Sequence, residues 1–211
     1  MTRNLKVSLT VVFIFCLALT AVFVVSRAGS DTTGQAITVR SDSQRLSAPA
    51  ESQATFVEFL DFECEACGAA YPAVERLRQV YGDQVTFVVR YFPLPGHFNA
   101  DRAARAVAAA AAQGRFEGMY RKMFDTQQQW GEQRVPLDDL FFSYARDLGL
   151  NLDQFALDYD SQATRELIDR DIADGKQLGV SGTPTFFLDD QRIDPGTYEE
   201  MSSALRAAIE Q

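Results

Sequence analysis

The chain has 211 residues, 46% of them hydrophobic and 23% charged, enough for one sizeable core and too few residues for two full domains. Its net charge is −9; the first thirty residues hold Arg3, Lys6 and Arg27 and no acid, so 17 basic face 29 acidic residues in the rest, a body that repels phosphate backbones and argues against a nucleic-acid partner. Three cysteines exclude a disulfide-stapled mini-domain, which would need several pairs at varied spacings.

In chain order, Val7 to Ser26 is uncharged and bounded by Lys6 and Arg27. As a helix rising ~1.5 Å per residue it would span the hydrocarbon of a bilayer. Arg3 and Lys6 before it place the N-terminus in the cytoplasm. Residues 1–27 are thus expected to form a single-pass transmembrane anchor in the cell membrane. The alternative is a signal sequence cleaved near Ser26-Arg27-Ala28, giving a secreted protein. Either way the remainder lies outside the cytoplasm, where disulfides persist. Residues 28–50, rich in Ser, Thr, Gly, Asp and Gln, read as a polar linker.

Residues 51–211 carry the soluble domain. Ala54–Leu60 reads as a buried strand and Ala66–Tyr81 as a helix, stopped by Gly82 and kinked at Pro72. Val85–Tyr91 is a second strand, ended by Phe92-Pro-Leu-Pro-Gly96. From about 99 to 178 the pattern is helical. Asn99 is positioned to cap an Ala-rich helix through Ala112, followed by Phe116–Gln129, Leu137–Leu148, Leu152–Tyr159 and Arg165–Leu178. Thr185–Leu188 returns to strand, Asp189-Asp190 turns, and Gln191–Ile193 is a short partner strand. Thr197-Tyr-Glu-Glu200 is a capping box that opens a last helix to about Ile209. The whole is an α/β fold with a helical insertion in mid-sheet.

Cys64-Glu65-Ala66-Cys67 falls between a strand and a helix. A thiolate at a helix N-terminus meets unpaired N–H groups and the positive end of the helix dipole, which lower its pKa. Two intervening residues put the second Cys one turn further in. Cys64 is therefore expected to be the exposed, attacking thiol and Cys67 the buried, resolving one. A zinc site would need two more ligands, and the only histidine is His97, so no metal is expected. His97 itself reads as a loop residue bonding local backbone, a role near the active-site groove being the alternative, and Trp130 reads as core.

Glu58 shares a strand face with Phe56 and Leu60, so its pKa should be raised. Six residues before Cys64, it is a candidate proton shuttle for Cys67; an edge carboxylate reaching solvent is the alternative. Gly182-Thr183-Pro184-Thr185 places a proline at a strand start or turn, the position a residue without an N–H can hold.

Four features together resemble the DsbA-like branch of the thioredoxin superfamily: Glu58 six residues ahead of Cys64, Asp61-Phe-Glu-Cys64-Glu-Ala-Cys67, the helical block between the second and third strands, and Gly182-Thr-Pro184-Thr. Pro72, five residues after Cys67, matches the kinking proline of thioredoxin. The resemblance, covering about Thr55 to the C-terminus, implies a thioredoxin-like fold with the helical domain inserted between core strands. It also implies a cis Pro184 packed on the disulfide, Thr183 offering backbone groups to a substrate chain, and Cys64 as nucleophile. Glu65-Ala66 departs from the Pro-His dipeptide of the most oxidising members; a carboxylate there is expected to raise the Cys64 pKa and weaken the oxidant. The resulting expectation is a monomeric oxidase of exported proteins with free thiols. It would need no cofactor beyond the Cys64–Cys67 disulfide and would be reoxidised by a membrane quinone-linked partner. A reductase or isomerase on the same fold, and a non-catalytic peptide-binding module, are the alternatives.

Overall fold

The computed structural model describes residues 37–210. The membrane span expected over residues 7–26 lies outside them, and among the described residues no helix is long and apolar enough to cross a membrane.

Two segments dense in β-branched and aromatic residues form seven-residue strands, β2 (Ala54–Leu60) and β3 (Val85–Tyr91). They pair in parallel, with Ala54 opposite Val85 and Leu60 opposite Tyr91. With β1 (Gln44–Ser47), β4 (Thr185–Leu188) and β5 (Gln191–Ile193) they make one sheet, ordered β1-β3-β2-β4-β5. The β1–β3, β2–β4 and β4–β5 pairs are antiparallel. Both faces of the central pair are covered, which is why neither strand alternates apolar with polar. Phe56, Leu60, Phe87 and Val89 belong to one apolar cluster with Cys64, Cys67, Val74, Leu77 and Leu205. Val57, Phe59 and Val88 belong to a second with Phe92, Val180 and Phe187.

Helix α1 (Glu65–Tyr81) crosses between β2 and β3, with Pro72 inside it, and α8 (Tyr198–Ile209) closes the fold. Thr197 caps α8 through its hydroxyl, which accepts from Glu200 N, and the Glu200 carboxylate accepts from Gly196 N at 2.6 Å. Between β3 and β4 stand α2 (Ala100–Ala112), α3 (Phe116–Asp125), α4 (Gln127–Trp130), α5 (Asp138–Asp147), α6 (Leu152–Tyr159) and α7 (Gln162–Gln177). The buried alanines of α2 let α3, α5, α6 and α7 pack closely around it. Trp130 is fully buried, as core, and donates from Nε1 to Met123 O.

Three sequence expectations change. The polar linker expected over residues 28–50 contains β1, and Leu46 is its one buried apolar side chain. Backbone pairing with β3 and the Ser47 hydroxyl bonded to Val85 O hold it, and hydropathy does not register such bonds. Asn99 does not cap α2 with its side chain: its Oδ1 accepts from Leu137 N, and its Nδ2 donates to Gln133 O and Val135 O, fastening the α4–α5 loop. The helix expected over Phe116–Gln129 is two, because Thr126 leaves helical geometry between α3 and α4.

The N-terminal approach to β1 is held by buried charge. Arg90, next to last in β3 and with no exposed surface, donates to Asp171 at 2.7 Å and Asp174 at 2.6 Å on α7. It also donates to Ile37 O and Thr38 O, and Arg40 adds a two-point contact to Asp174. Buried cations are tolerated only when paired and hydrogen-bonded in this way.

Candidate active site at the N-terminus of α1

Asp61, Phe62 and Glu63 carry the chain from β2 into α1. The Asp61 carboxylate accepts from Glu63 N at 2.8 Å and its carbonyl from Cys64 N at 3.1 Å, a tight turn of the kind aspartate favours. Cys64 then occupies the cap position of α1 in extended geometry. The amide of Gln127, from α4, donates at 2.8 Å to both Phe62 O and Cys64 O, so the inserted block grips the turn from outside.

Cys64 retains 7% of its surface and Cys67 none, and both are free thiols. The expected order of access holds, although Cys64 is more enclosed than an exposed thiol would be. The loop before β4 covers it. Thr183-Pro184 is a cis peptide, as the resemblance implied, and the Cys64 thiol donates to Thr183 O at 3.3 Å. Thr185 Oγ1 bonds Gly182 O at 2.7 Å and fixes that loop.

The two thiols diverge electrostatically. Cys64 is drawn down to about 5, chiefly by the hydrogen bond from Cys67, opposed by burial and helped by Thr183 and the N–H groups of Cys67 and Ala66. Burial pushes Cys67 well above the usual thiol range, and the charges of Glu58 and Cys64 add to that. Glu65 and Ala66 are both exposed. Glu65, expected to raise Cys64, is not among the leading causes that set its value; the contacts from Cys67, Thr183 and the helix N–H groups outweigh burial.

Glu58 is 3% exposed, between Val89 and Phe186 on the neighbouring strands. Burial, then the charges of Cys64 and Glu75, raise its pKa to about 8. Its charge acts on the buried thiol, and its burial rules out a carboxylate reaching solvent at a strand edge. The structure therefore gathers Cys64, Cys67, Glu58, Thr183 and Pro184 at one end of the sheet.

The contacts of two residues near the site escaped the sequence reading. Gln127 lies in an unremarkable Gln-Gln-Gln run. His97 bonds the local Leu94 O through its backbone, as expected, and its ring Nδ1 also lies 2.6 Å from Asp61 Oδ2 on the active-site turn. An Asp61 three residues before Cys64 and a lone histidine after a Pro-Leu-Pro stop were the only available hints.

A thiol held low at a helix start, its buried partner one turn on and a loop carbonyl against the first are the working parts of a thiol–disulfide oxidoreductase. Comparisons with known proteins agree. The family described as Thioredoxin matches residues 48–207, and the chain belongs to that family, with a fold of the DsbA-like kind. A thioredoxin-like oxidoreductase from Silicibacter pomeroyi DSS-3 superposes with a TM-score of 0.67 at 26% identity, covering 81% of this chain and 92% of that one. BdbD from Bacillus subtilis gives 0.70 at 19% identity, over 80% and 94%. Among curated proteins, the Na(+)/H(+) antiporter NhaA of Herminiimonas arsenicoxydans is 37% identical over 151 residues, 72% of this chain and 23% of that protein. NhaA 1 of Salinispora arenicola is 37% identical over 176 residues, covering 82% and 26%. The chain thus spans about a quarter of the length of these relatives.

Proposed function

We propose that the chain is an oxidase acting outside the cytoplasm, passing a disulfide to exported proteins with free thiols. A substrate thiolate attacks Cys64 Sγ of the Cys64–Cys67 disulfide, forming a mixed disulfide and expelling Cys67 as thiolate. A second substrate thiolate then attacks the substrate sulfur and expels Cys64 as thiolate. The substrate loses two electrons and two protons, and the protein ends as a dithiol. Glu58, neutral at pH 7 with a value of about 8, can protonate the leaving Cys67, whose own value is higher. Thr183 and Pro184, over Cys64, form the floor against which the substrate chain is laid. A membrane quinone-linked partner would reoxidise the dithiol, and a membrane anchor would raise the local concentration of the two.

The observation that carries this reading is Cys64 at the N-terminal cap of α1, with buried Cys67 one turn on and Thr183 O against its thiol, an arrangement that draws Cys64 down to about 5. A stabilised Cys64 thiolate stabilises the reduced form and makes the disulfide the better oxidant. Equilibration with a glutathione series should give a potential above the about −270 mV of thioredoxin and below the about −120 mV of DsbA. A value at or below that of thioredoxin would favour a reductase, and a disulfide inert to glutathione would favour a peptide-binding module.

A further inference from the structure

The stop that ends β3 brings the chain's one histidine back beneath the active-site turn. His97 Nδ1 is 2.6 Å from Asp61 Oδ2; the Asp61 side chain is wholly buried and the imidazole keeps 28% of its surface. Asp61 is fixed on three sides: its carboxylate accepts from Glu63 N and from Leu94 N at 2.9 Å, and its carbonyl from Cys64 N. The carboxylate that orients His97 therefore belongs to the same turn that sets Cys64.

The charges around the imidazole are unbalanced. Asp61, Glu63 and Cys64 all act on it and favour its cationic form, while burial opposes that. Glu63 is itself buried, accepting from Asn99 N at 2.6 Å. Across a cavity of about 150 Å³ lie Glu132 and Arg134, on the loop after α4. On α2, Arg102 sits over the ring of the adjoining Phe98, 5.2 Å from its centroid. Asp61 and Glu63 are the acids nearest in sequence to Cys64 on the β2 side, and ionised they oppose its thiolate.

We propose that His97 is a positioning residue for Cys64: clamped by Asp61, its imidazolium offsets the Asp61 and Glu63 carboxylates and so keeps the Cys64 thiolate the favoured leaving group. The positive charge comes from the β3–α2 loop and not from the dipeptide between the cysteines, where Glu65-Ala66 offers none. This rests on Cys64 being the reacting thiol, as proposed above. Deprotonating His97 leaves the carboxylates uncompensated, so the Cys64 thiolate loses support as pH rises through the imidazole's titration.

Two measurements test it. In the intact protein, NMR titration of the His97 ring in the reduced and oxidised states should give a higher midpoint when reduced, because coupling between two sites is reciprocal and the thiolate exists only there. The expected difference is about half a pH unit, roughly threefold in the proton affinity. Equal midpoints in the two states would overturn the proposal. In the variant His97→Gln, which keeps a donor for Asp61 without the charge, the glutathione equilibrium should shift toward the dithiol-to-disulfide direction by about threefold, and the Cys64 alkylation midpoint should rise with it. His97→Lys should restore the equilibrium, leaving near neutral pH the inflection of Glu58 and removing that of the imidazole. Lower thermal stability in His97→Gln with an unmoved equilibrium and alkylation midpoint would reduce His97 to a structural role. A wild-type disulfide inert to glutathione would instead remove the oxidase reading.

Discussion

Gln127 and Gly68 are fitted to one another: Gln127 Oε1 occupies the place a Cβ on residue 68 would need, while its Nε2 donates at 2.8 Å to Phe62 O and Cys64 O. The helical insertion thus reaches the active-site turn through one amide, and only a residue without a side chain leaves room for it on the second turn of α1.

Gly68→Ala should push that amide aside and release both carbonyls. The expected cost is about 1–3 kcal/mol, as for overpacking elsewhere, read as a lower urea midpoint at unchanged slope. Gln127→Ala in the same chain should recover part of the loss, since the two changes share one contact.

Cys64 in the reduced protein should react with iodoacetamide in a profile centred near its value of about 5, with Cys67 unlabelled at neutral pH. The folded value is depressed below the about 8.5 of a free thiol, so the reduced protein gains stability above that pH and loses it as pH falls through about 5. Labelling of Cys67 first would reverse the assignment. Cys67→Ser mixed with a disulfide-bearing peptide should accumulate mixed disulfides: its Cys64 thiolate attacks the peptide disulfide and expels one peptide thiol, and no Cys67 thiol remains to attack Cys64 and release the other.

Glu58→Gln should slow turnover most near neutral pH and keep the fold. The sign of its stability effect is opposite to that of Cys64. The folded value is raised from 4.5 to about 8, so as pH climbs between those values the unfolded chain ionises Glu58 while the fold holds it neutral, and wild type loses stability progressively. The variant should match wild type at the acid end and exceed it by a few kcal/mol above that range, measured by denaturant unfolding of the reduced form. Equal turnover at every pH would end the proton-shuttle role.

Arg90→Met should cost about 3–5 kcal/mol, the usual result of stripping one partner from a buried ion pair, because Asp171 and Asp174 would stay behind without their cation. Asp171 is held near 6 by burial against the attraction of Arg90, so losing Arg90 should raise it further. Thermal unfolding compared at acid and neutral pH would register both effects, the variant losing less at the acid end.

What the sequence disclosed follows from period and from spacing. Val85–Tyr91, Thr185–Leu188 and Leu152–Tyr159 begin and end where their apolar patterns do, and the cysteine pair announces its own chemistry by its place between a strand and a helix. What stayed hidden is held by polar contacts between distant residues. β1 has one buried apolar side chain, Asn99 serves a loop more than thirty residues away, and Gln127 and His97 act on a turn from other elements. None of these leaves a periodic trace, because a single hydrogen bond over long sequence distance has no period.

Arg90 and Arg40 also decide how the domain would carry mechanical load. A pull on the chain from the N-terminal side of Ile37 does not first meet β1, an edge strand that could be peeled away one rung at a time. It meets Thr38 and Arg40, bound through Arg90 and Asp174 to the C-terminal end of β3 and to α7. Tension therefore reaches α7 and the end of β3 through several charged contacts before it loads β1, and it arrives beside the end of β2 from which the turn bearing Cys64 departs.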